Sequence, residues 1–242
     1  MESNVIYQVS TLQALALGYT RPVATVEELL EHGDTGLGTF EDVDGEMIVL
    51  DGVCYQAKPD GSIVQTKESD GVPFAVAGFL NNNSCFKMEE MTCLEAIKTA
   101  LTIRIDEAFS LNSIHIARID GCFESIHARA GAPYHSQHVS LKDILSKTQK
   151  DFSFEKVRGT LVCVYFPDYM DGINAAGWHM HFLSEDRKLG GHVFEAVMSS
   201  GECILQKMDR IEIQLPREAA FDTYCLKEAS NDEIAEVEQG KE

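Results

Sequence analysis

The feature that most constrains the fold is an alternation of histidine and apolar residues in one short stretch of the chain. His179 and His181 are separated by a single residue, and Trp178, Met180 and Phe182 occupy the alternate positions. Side chains of a β-strand point alternately to its two faces, so the two imidazoles share one face and the apolar side chains share the other. The pattern predicts a strand with one face in the core and an imidazole face free to bind a ligand.

A second strand is predicted to bring a third histidine beside this pair. The polar run after the first strand ends in Gly190-Gly191, which is typical of a hairpin loop, and His192 begins the returning strand. Three neutral imidazoles fill three positions of Zn²⁺ or a similar divalent ion and leave others open, as in catalytic metal sites. The alternative is a solvated hairpin whose histidines bind no ligand.

Charge and hydropathy restrict the partners of the chain. It has 20 basic against 39 acidic residues and a formal charge of −19. Nucleic-acid binding depends on neutralising phosphates with Lys and Arg, so the charge argues against a nucleic-acid partner and disfavours an anionic membrane surface. The sequence also lacks an apolar run of about 18 residues and the features of a secretory signal at its start. We expect a cytoplasmic protein with no nucleic-acid and no membrane partner.

Helices are predicted from capping boxes, in which a Ser or Thr is followed three residues later by an acidic residue. Such boxes begin at Thr25, with a helix ending at Gly33, and at Thr92, with a helix through about Ile105. Two more are predicted at Ser140 and Ser230. The helices are few and short.

Strands dominate the rest of the chain, with candidates at 45–52, 113–121 and 122–129 separated by turn residues. Because strands and helices do not alternate strictly, we predict an α+β fold of mixed or antiparallel sheets. We expect one unit over 1–242, built of two closely packed halves at about 1–156 and 157–242, with the metal site on a hairpin of the C-terminal half.

Three charged residues are candidates for completing a metal site. Glu46 begins an apolar strand, and Arg129 ends a strand and suits a substrate carboxylate through two parallel hydrogen bonds. Glu238 lies near the end of the last predicted helix. Each also has an ordinary explanation. Glu46 could be a surface charge, Arg129 could form an ion pair at the strand end, and Glu238 could be a solvated charge of the tail. The histidines expected to be surface residues or satisfied by other partners are His115, His135 and His138.

A cupin is one alternative fold, because its first motif also has two histidines one residue apart followed by a glutamate. His181 and Glu185 fit that interval, but His192 stands where the cupin motif has glycine. The second cupin motif is absent. A nucleotide fold is also disfavoured, since no glycine-rich phosphate loop follows a strand.

Several motifs together are more specific than the histidines alone. They lie at 29–40, 44–46, 50–52, 73–75, 118–121 and 177–192, so they span nearly the whole chain. On these motifs the sequence resembles the bacterial alpha-acetolactate decarboxylases. The resemblance implies a zinc-dependent lyase that converts 2-acetolactate to acetoin and carbon dioxide through a metal-bound enediolate, with no organic cofactor. It also suggests a homodimer. The alternatives are a cupin-like oxygenase or isomerase, and a binding module that keeps the site without turnover.

The resemblance also implies roles for individual residues. The zinc ligands fall on His179, His181 and His192. Glu46, Arg129 and Glu238 fall at the site, and Thr39 falls in its lining, although Glu236 competes with Glu238 for the tail position. Arg129 is expected to orient the substrate carboxylate, while the two glutamates move protons. The sequence leaves open which group delivers the final proton.

Overall fold

The computed structural model describes residues 4–81, 84–135 and 138–226. The strands there are β1 (Val5–Val9), β2 (Ala24–Thr25), β3 (Thr35–Thr39), β4 (Glu46–Leu50), β5 (Val53–Ala57), β6 (Ile63–Gln65), β7 (Gly71–Val72), β8 (Phe74–Gly78), β9 (Cys85–Met91), β10 (Ile114–Ala130), β11 (Lys150–Phe166), β12 (Gly177–Ser184), β13 (Gly190–Met208) and β14 (Arg210–Gln214). The helices are α1 (Leu12–Ala16), α2 (Val26–Leu30), α3 (Leu94–Ala108) and α4 (Leu141–Thr148), with 3₁₀ turns at Glu41–Val43, Asp168–Met170 and Phe221–Thr223. Within these residues no helix combines the length and apolar character needed to cross a bilayer.

Two sheets make up most of the structure. The first has seven strands in the order β14-β1-β8-β3-β4-β5-β6, with β1 and β14 parallel and the other pairs antiparallel. The second is antiparallel, in the order β10-β11-β12-β13-β9, and β10 also pairs with β13. A small third sheet joins β2 and β7. The predicted strand-rich α+β fold with mixed and antiparallel sheets is confirmed.

The sheets do not divide the chain at residue 156. That position lies within β11, and β14 from the C-terminal part joins the sheet formed by the N-terminal strands. Apolar side chains of the two sheets pack together, as where Ile48 and Leu50 of β4 meet Val162 and Leu183 of the second sheet. This packing sets β4 beside the β12–β13 hairpin.

The capping boxes at Thr25 and Ser140 correctly predict where two helices begin, although α2 ends at Leu30 rather than at Gly33. The Thr25 side chain accepts a hydrogen bond from the Glu28 amide, and the Glu28 carboxylate accepts one from the Thr25 amide. Ser140 accepts from the Asp143 amide at the start of α4. Each cap satisfies an amide that the first helical turn leaves without an intrahelical partner. Ser230 lies outside the described residues.

The predicted box at Thr92 is wrong, although α3 exists. The residue before the helix is Cys93, which makes no side-chain cap, and the helix continues three residues beyond Ile105. One buried apolar stripe stabilises the helix instead: Leu94, Ile97, Leu101 and Ile105. Packing against the second sheet therefore replaces the missing cap.

The two strands predicted at 113–121 and 122–129 form one strand, β10. Gly121 lies inside this strand, just before the pairing register with β13 shifts between Cys122 and Phe123. A side chain at Gly121 would place its Cβ 2.8 Å from the Ser200 carbonyl oxygen. Glycine inside a strand is typical of a bulge with close backbone approach as well as of a turn. The bulge bends β10 without ending it.

Candidate metal centre

The predicted hairpin is confirmed, and it gathers all three histidines. β12 carries His179 and His181, β13 carries His192, and His181 and His192 are direct partners across the two strands. The alternate residues of β12 pack in the core of the second sheet, as the alternation predicts: Trp178, Met180 and Phe182. The exposed fractions of the three histidines are 7%, 0% and 2%, so the imidazole face is buried rather than solvated.

The spacing of the imidazole nitrogens suits a single metal ion. His179 Nε2 lies 3.1 Å from His181 Nε2 and 3.0 Å from His192 Nδ1, and the third distance, His181 Nε2 to His192 Nδ1, is 3.3 Å. Nitrogen ligands about 2.0–2.1 Å from a tetrahedral zinc ion would lie about 3.3–3.4 Å apart. The three nitrogens therefore form one triangular face of such a site with only small adjustments.

The protein holds two of these imidazoles in the form that binds metals. Burial lowers the pKa of His179 to about 3, and the positive charges of Arg129 and Lys98 act in the same direction. Burial also lowers the pKa of His181 well below its ordinary value, as do His179 and Arg129. Neutral imidazole has the free lone pair that a metal requires, so no proton must be displaced at neutral pH.

Strand β4 orients the cluster from the first sheet. The Nδ1–H of His181 donates to the Met47 carbonyl at 2.8 Å, which leaves Nε2 facing the other two histidines. Glu46, the preceding residue, places its Oε2 atom 3.6 Å from His181 Nε2. One strand end thus supplies both the carbonyl that fixes the tautomer and a buried carboxylate beside the cluster.

Strand β10 places Arg129 beside His192 of the cluster. Arg129 is the cross-strand partner of His192 and is 5% exposed. Its Nη1 donates to Gln149 Oε1 at 2.7 Å, and its Cζ lies 4.7 Å from the centre of the Phe194 ring. The guanidinium charge is therefore held in a largely dry environment, where its attraction for an anion is stronger than in water.

A small cavity of about 30 Å³ lies beside His179 and His192. Its polar side includes Thr39, Glu46 and Arg129, and the Thr39 hydroxyl donates to the Gly45 carbonyl at 2.8 Å. Its apolar side comes from four separate segments: Leu15, Val43, Phe74, Leu141 and Leu145. The site thus combines a histidine triad that could hold a metal ion, a carboxylate and a cation with an apolar wall.

Val43 enters this wall from an unusual backbone conformation. Asp42 and Val43 have φ angles of 62° and 59°, in the left-handed region that β-branched residues rarely adopt. Contacts with a separate segment of the chain stabilise this turn. The Asp42 carbonyl accepts a hydrogen bond from the Tyr134 amide, and the Asp42 carboxylate pairs with His135. Strained residues of this kind cluster where a side chain must be held against a ligand.

Known proteins resemble this chain in sequence and in structure. The sequence profile described as alpha-acetolactate decarboxylase matches residues 6–228. A relative of that name from Methanosarcina mazei is 34% identical over 98% of this chain and 81% of its own, and one from Klebsiella aerogenes is 35% identical over 90% and 82%. The chain belongs to the alpha-acetolactate decarboxylase family. The crystal structure of the Bacillus subtilis alpha-acetolactate decarboxylase superimposes with a TM-score of 0.91 at 30% identity, covering 97% of this chain and 99% of that one.

The family match includes nearly every residue that the sequence predicts at the site. Thr39, Glu46 and Arg129 lie around the three histidines, all within residues 6–228. Glu238 lies beyond the matched residues and outside the described ones, so its predicted role stays a prediction.

The other histidines lie elsewhere. His115 is fully buried, with Nε2 3.2 Å from the Ser110 carbonyl and Nδ1 without a hydrogen-bond partner among the described residues, so it is a core residue that is satisfied at one ring nitrogen. His135 is exposed and pairs with Asp42, and His138 stacks on Tyr224. None of the three belongs to the cluster that could hold a metal ion among the described residues.

Sequence reasoning missed several parts of this decarboxylase-family site. The Met47 carbonyl, Phe194 and Gln149 carry no motif that marks them, because each acts through a neighbour in space rather than in sequence. For the leucines of α4 the sequence contains a weak indication. Leu141 and Leu145 are four residues apart, so they share one face of a predicted helix. Only the tertiary structure shows that this face turns toward the histidines.

Proposed function

We propose that this chain decarboxylates 2-acetolactate to acetoin and carbon dioxide at a zinc ion held by His179, His181 and His192. The observation that carries the proposal is the buried triangle of imidazole nitrogens, 3.0 to 3.3 Å apart, with Glu46 and Arg129 beside it. Family membership supports the substrate, since the relatives are named for this reaction.

The donor set fits zinc. Three neutral imidazoles with open positions beside a cavity are typical of catalytic zinc sites, and the Met47 carbonyl supplies the outer partner that orients such ligands. When bound, zinc supplies a Lewis acid that stabilises the negative charge developing on the substrate oxygens as the carbon–carbon bond breaks.

Arg129 binds and orients the substrate carboxylate in this proposal. A guanidinium presents two parallel N–H groups that match a carboxylate, and burial strengthens their attraction. Gln149 and the Phe194 ring fix the guanidinium in place before the substrate arrives. Pre-organisation of this kind lowers the entropic cost of reaching a reactive geometry.

Glu46 is the proposed proton carrier among the described residues. Its carboxylate lies in the cavity lining and near His181, so it is placed to accept the hydroxyl proton of the substrate. Loss of carbon dioxide leaves an enediolate that must be protonated at carbon to give acetoin. Because the hydroxyl proton has also been removed, acetoin requires one proton at carbon and one at oxygen. Glu46 returns the proton that it accepted, and the second proton, which the reaction takes up overall from solvent, is delivered through Glu46 again or through Glu238, the second candidate donor.

The apolar side of the cavity serves the methyl groups of the substrate and excludes water. Val43, Phe74 and the two leucines of α4 offer no hydrogen bond to a solvent molecule. Exclusion of water by this apolar side strengthens the charge interactions made by Arg129 and Glu46. It also prevents solvent from protonating the enediolate at random.

The test is acetoin formation from racemic 2-acetolactate by purified protein, with and without a chelator. We expect acetoin from the zinc-loaded protein, little after chelation, and recovery when zinc is returned. His138→Ala is the matched control, since this exposed histidine lies outside the triad and outside the cavity lining. Zinc-loaded protein that binds substrate without forming acetoin would instead support a binding module, and dependence on iron or manganese would support a cupin-like oxygenase.

We also propose that the chain forms a homodimer, as its family resemblance suggests. One chain has a mass of 26.8 kDa, so light scattering on the purified protein should give twice that value. A mass equal to that of one chain across the working concentration range would reject the dimer.

A further inference from the structure

Gln149 joins Arg129 to Asp151 through its side-chain amide. Its Oε1 accepts from Arg129 Nη1 at 2.7 Å, and its Nε2 donates to Asp151 Oδ1 at 2.8 Å. Arg129 and Asp151 are direct partners across β10 and β11, so their side chains lie on the same face of the sheet. The neutral amide therefore stands between a cation and an anion that are neighbours in the sheet.

The backbone fixes Gln149 at a junction next to the cavity. It follows the last residue of α4, and its amide donates to the Leu145 carbonyl at 2.8 Å. The next residue begins β11, and Leu145 itself lines the cavity. The Gln149 side chain is half-buried, so its reach toward Arg129 is set by the same helix end that forms the apolar wall.

The neutrality of Gln149 matters for the charge on Arg129. A carboxylate at this position would form a stronger, charge-assisted bond to the guanidinium, but it would also contribute a negative charge that competes with an anionic substrate. The amide accepts the same hydrogen bond without contributing such a charge. Its Nε2 also donates to one oxygen of Asp151, the cross-strand partner of Arg129.

We infer that Gln149 is a positioning residue for substrate binding, which holds the Arg129 guanidinium beside the histidine triad and away from Asp151. Without the amide, Arg129 turns to its cross-strand partner Asp151 and no longer presents its two N–H groups to the cavity. This inference rests on the proposed function, in which Arg129 receives the carboxylate of 2-acetolactate.

Two substitutions separate positioning from simple structural support. In zinc-loaded protein, Gln149→Ala should lower kcat/KM about 10- to 100-fold, mainly through KM, because a displaced binding group costs that much. Gln149→Glu keeps the shape and the acceptor but should lower kcat/KM further than Gln149→Ala, since it adds a negative charge where the substrate carboxylate binds. If Gln149 only supports the fold, Gln149→Glu should retain nearly full activity and Gln149→Ala should lose thermal stability in step with activity.

A double variant tests the role of Asp151. Adding Asp151→Asn to Gln149→Ala removes the competing carboxylate, so KM should return at least severalfold toward the wild-type value. No recovery would overturn the claim that Gln149 keeps Arg129 from Asp151. Lys150→Gln is the matched control, because Lys150 is the exposed residue between them, and its kinetics should match the wild type.

Crystal structures of wild type and Gln149→Ala give a readout that does not depend on activity. We expect the guanidinium of Arg129 to bond to Asp151 in the variant, and an unmoved guanidinium would overturn the inference. If the zinc-loaded wild type forms no acetoin, the proposed reaction fails, whereas the position of Arg129 in the variant still decides the role of Gln149.

Discussion

The burial of His115 predicts a measurable loss of stability at mildly acidic pH. His115 is fully buried beside Phe109 and Tyr165, and burial lowers its pKa from the ordinary 6.5 to about 4. Lys207 lowers this pKa as well, while the bond to the Ser110 carbonyl opposes the shift. The folded protein therefore binds a proton at His115 less readily than the unfolded chain does.

The sign and size of the effect follow from proton linkage. Between pH 6.5 and 4 the unfolded chain is protonated at this site and the folded protein is not, so stability falls as the pH falls. At pH 5.0 this difference amounts to about 2 kcal/mol, on the scale of about 1.4 kcal/mol per pKa unit. Above pH 6.5 both states are neutral at His115, and the penalty disappears.

The assay is urea unfolding of the zinc-loaded protein at pH 7.5 and pH 5.0. His115→Phe keeps an aromatic ring at the site but removes the titrating group, so its free energy of unfolding should fall about 2 kcal/mol less between these two pH values than that of the wild type. The variant is expected to be less stable at pH 7.5, because the Ser110 carbonyl loses its partner. An identical pH dependence for variant and wild type would refute the reasoning.

Three further predictions concern the site. His181→Ala should lose bound zinc and acetoin formation together, and full metal content measured by atomic absorption would show that the ligand set is wrong. Glu46→Gln should keep zinc but lower kcat about 100- to 10,000-fold, the usual range for loss of a proton-transfer group, and a steady-state assay giving wild-type kcat would contradict that role. Deleting residues 230–242 should also lower kcat strongly if Glu238 acts at the site, whereas unchanged kinetics would leave the tail as solvated charge.

Local sequence patterns predict the hairpin of the triad well. The alternation around His179 and His181 and the polar run that ends in Gly190-Gly191 lie within a few residues of one another, so short-range rules of strand geometry suffice. The two glycines are already the first residues of β13 rather than part of the loop. The same rules wrongly end a strand at Gly121, because glycine is typical both of a turn between strands and of a bulge inside one strand. The pairing of β10 with β13 decides between the two.

The partners of the triad are not predictable from local patterns. Glu46 and Arg129 reach the histidines only because β4 packs on β12 and because β10 pairs with β13. Residue type and strand position made them candidates, each with an ordinary alternative, and only the resemblance to known sequences assigned them to the site. Gln149 carried no signal at all, since its role depends on the register that sets Arg129 opposite Asp151. Long-range pairing of this kind is determined by the whole fold.

The most direct test of the zinc-triad proposal is a titration of metal-free protein with zinc while acetoin formation is measured. We predict that activity rises linearly and reaches its plateau at one zinc ion per chain, and that His192→Ala shows no such rise. Full activity in the metal-free protein, or an unchanged titration in His192→Ala, would contradict the account.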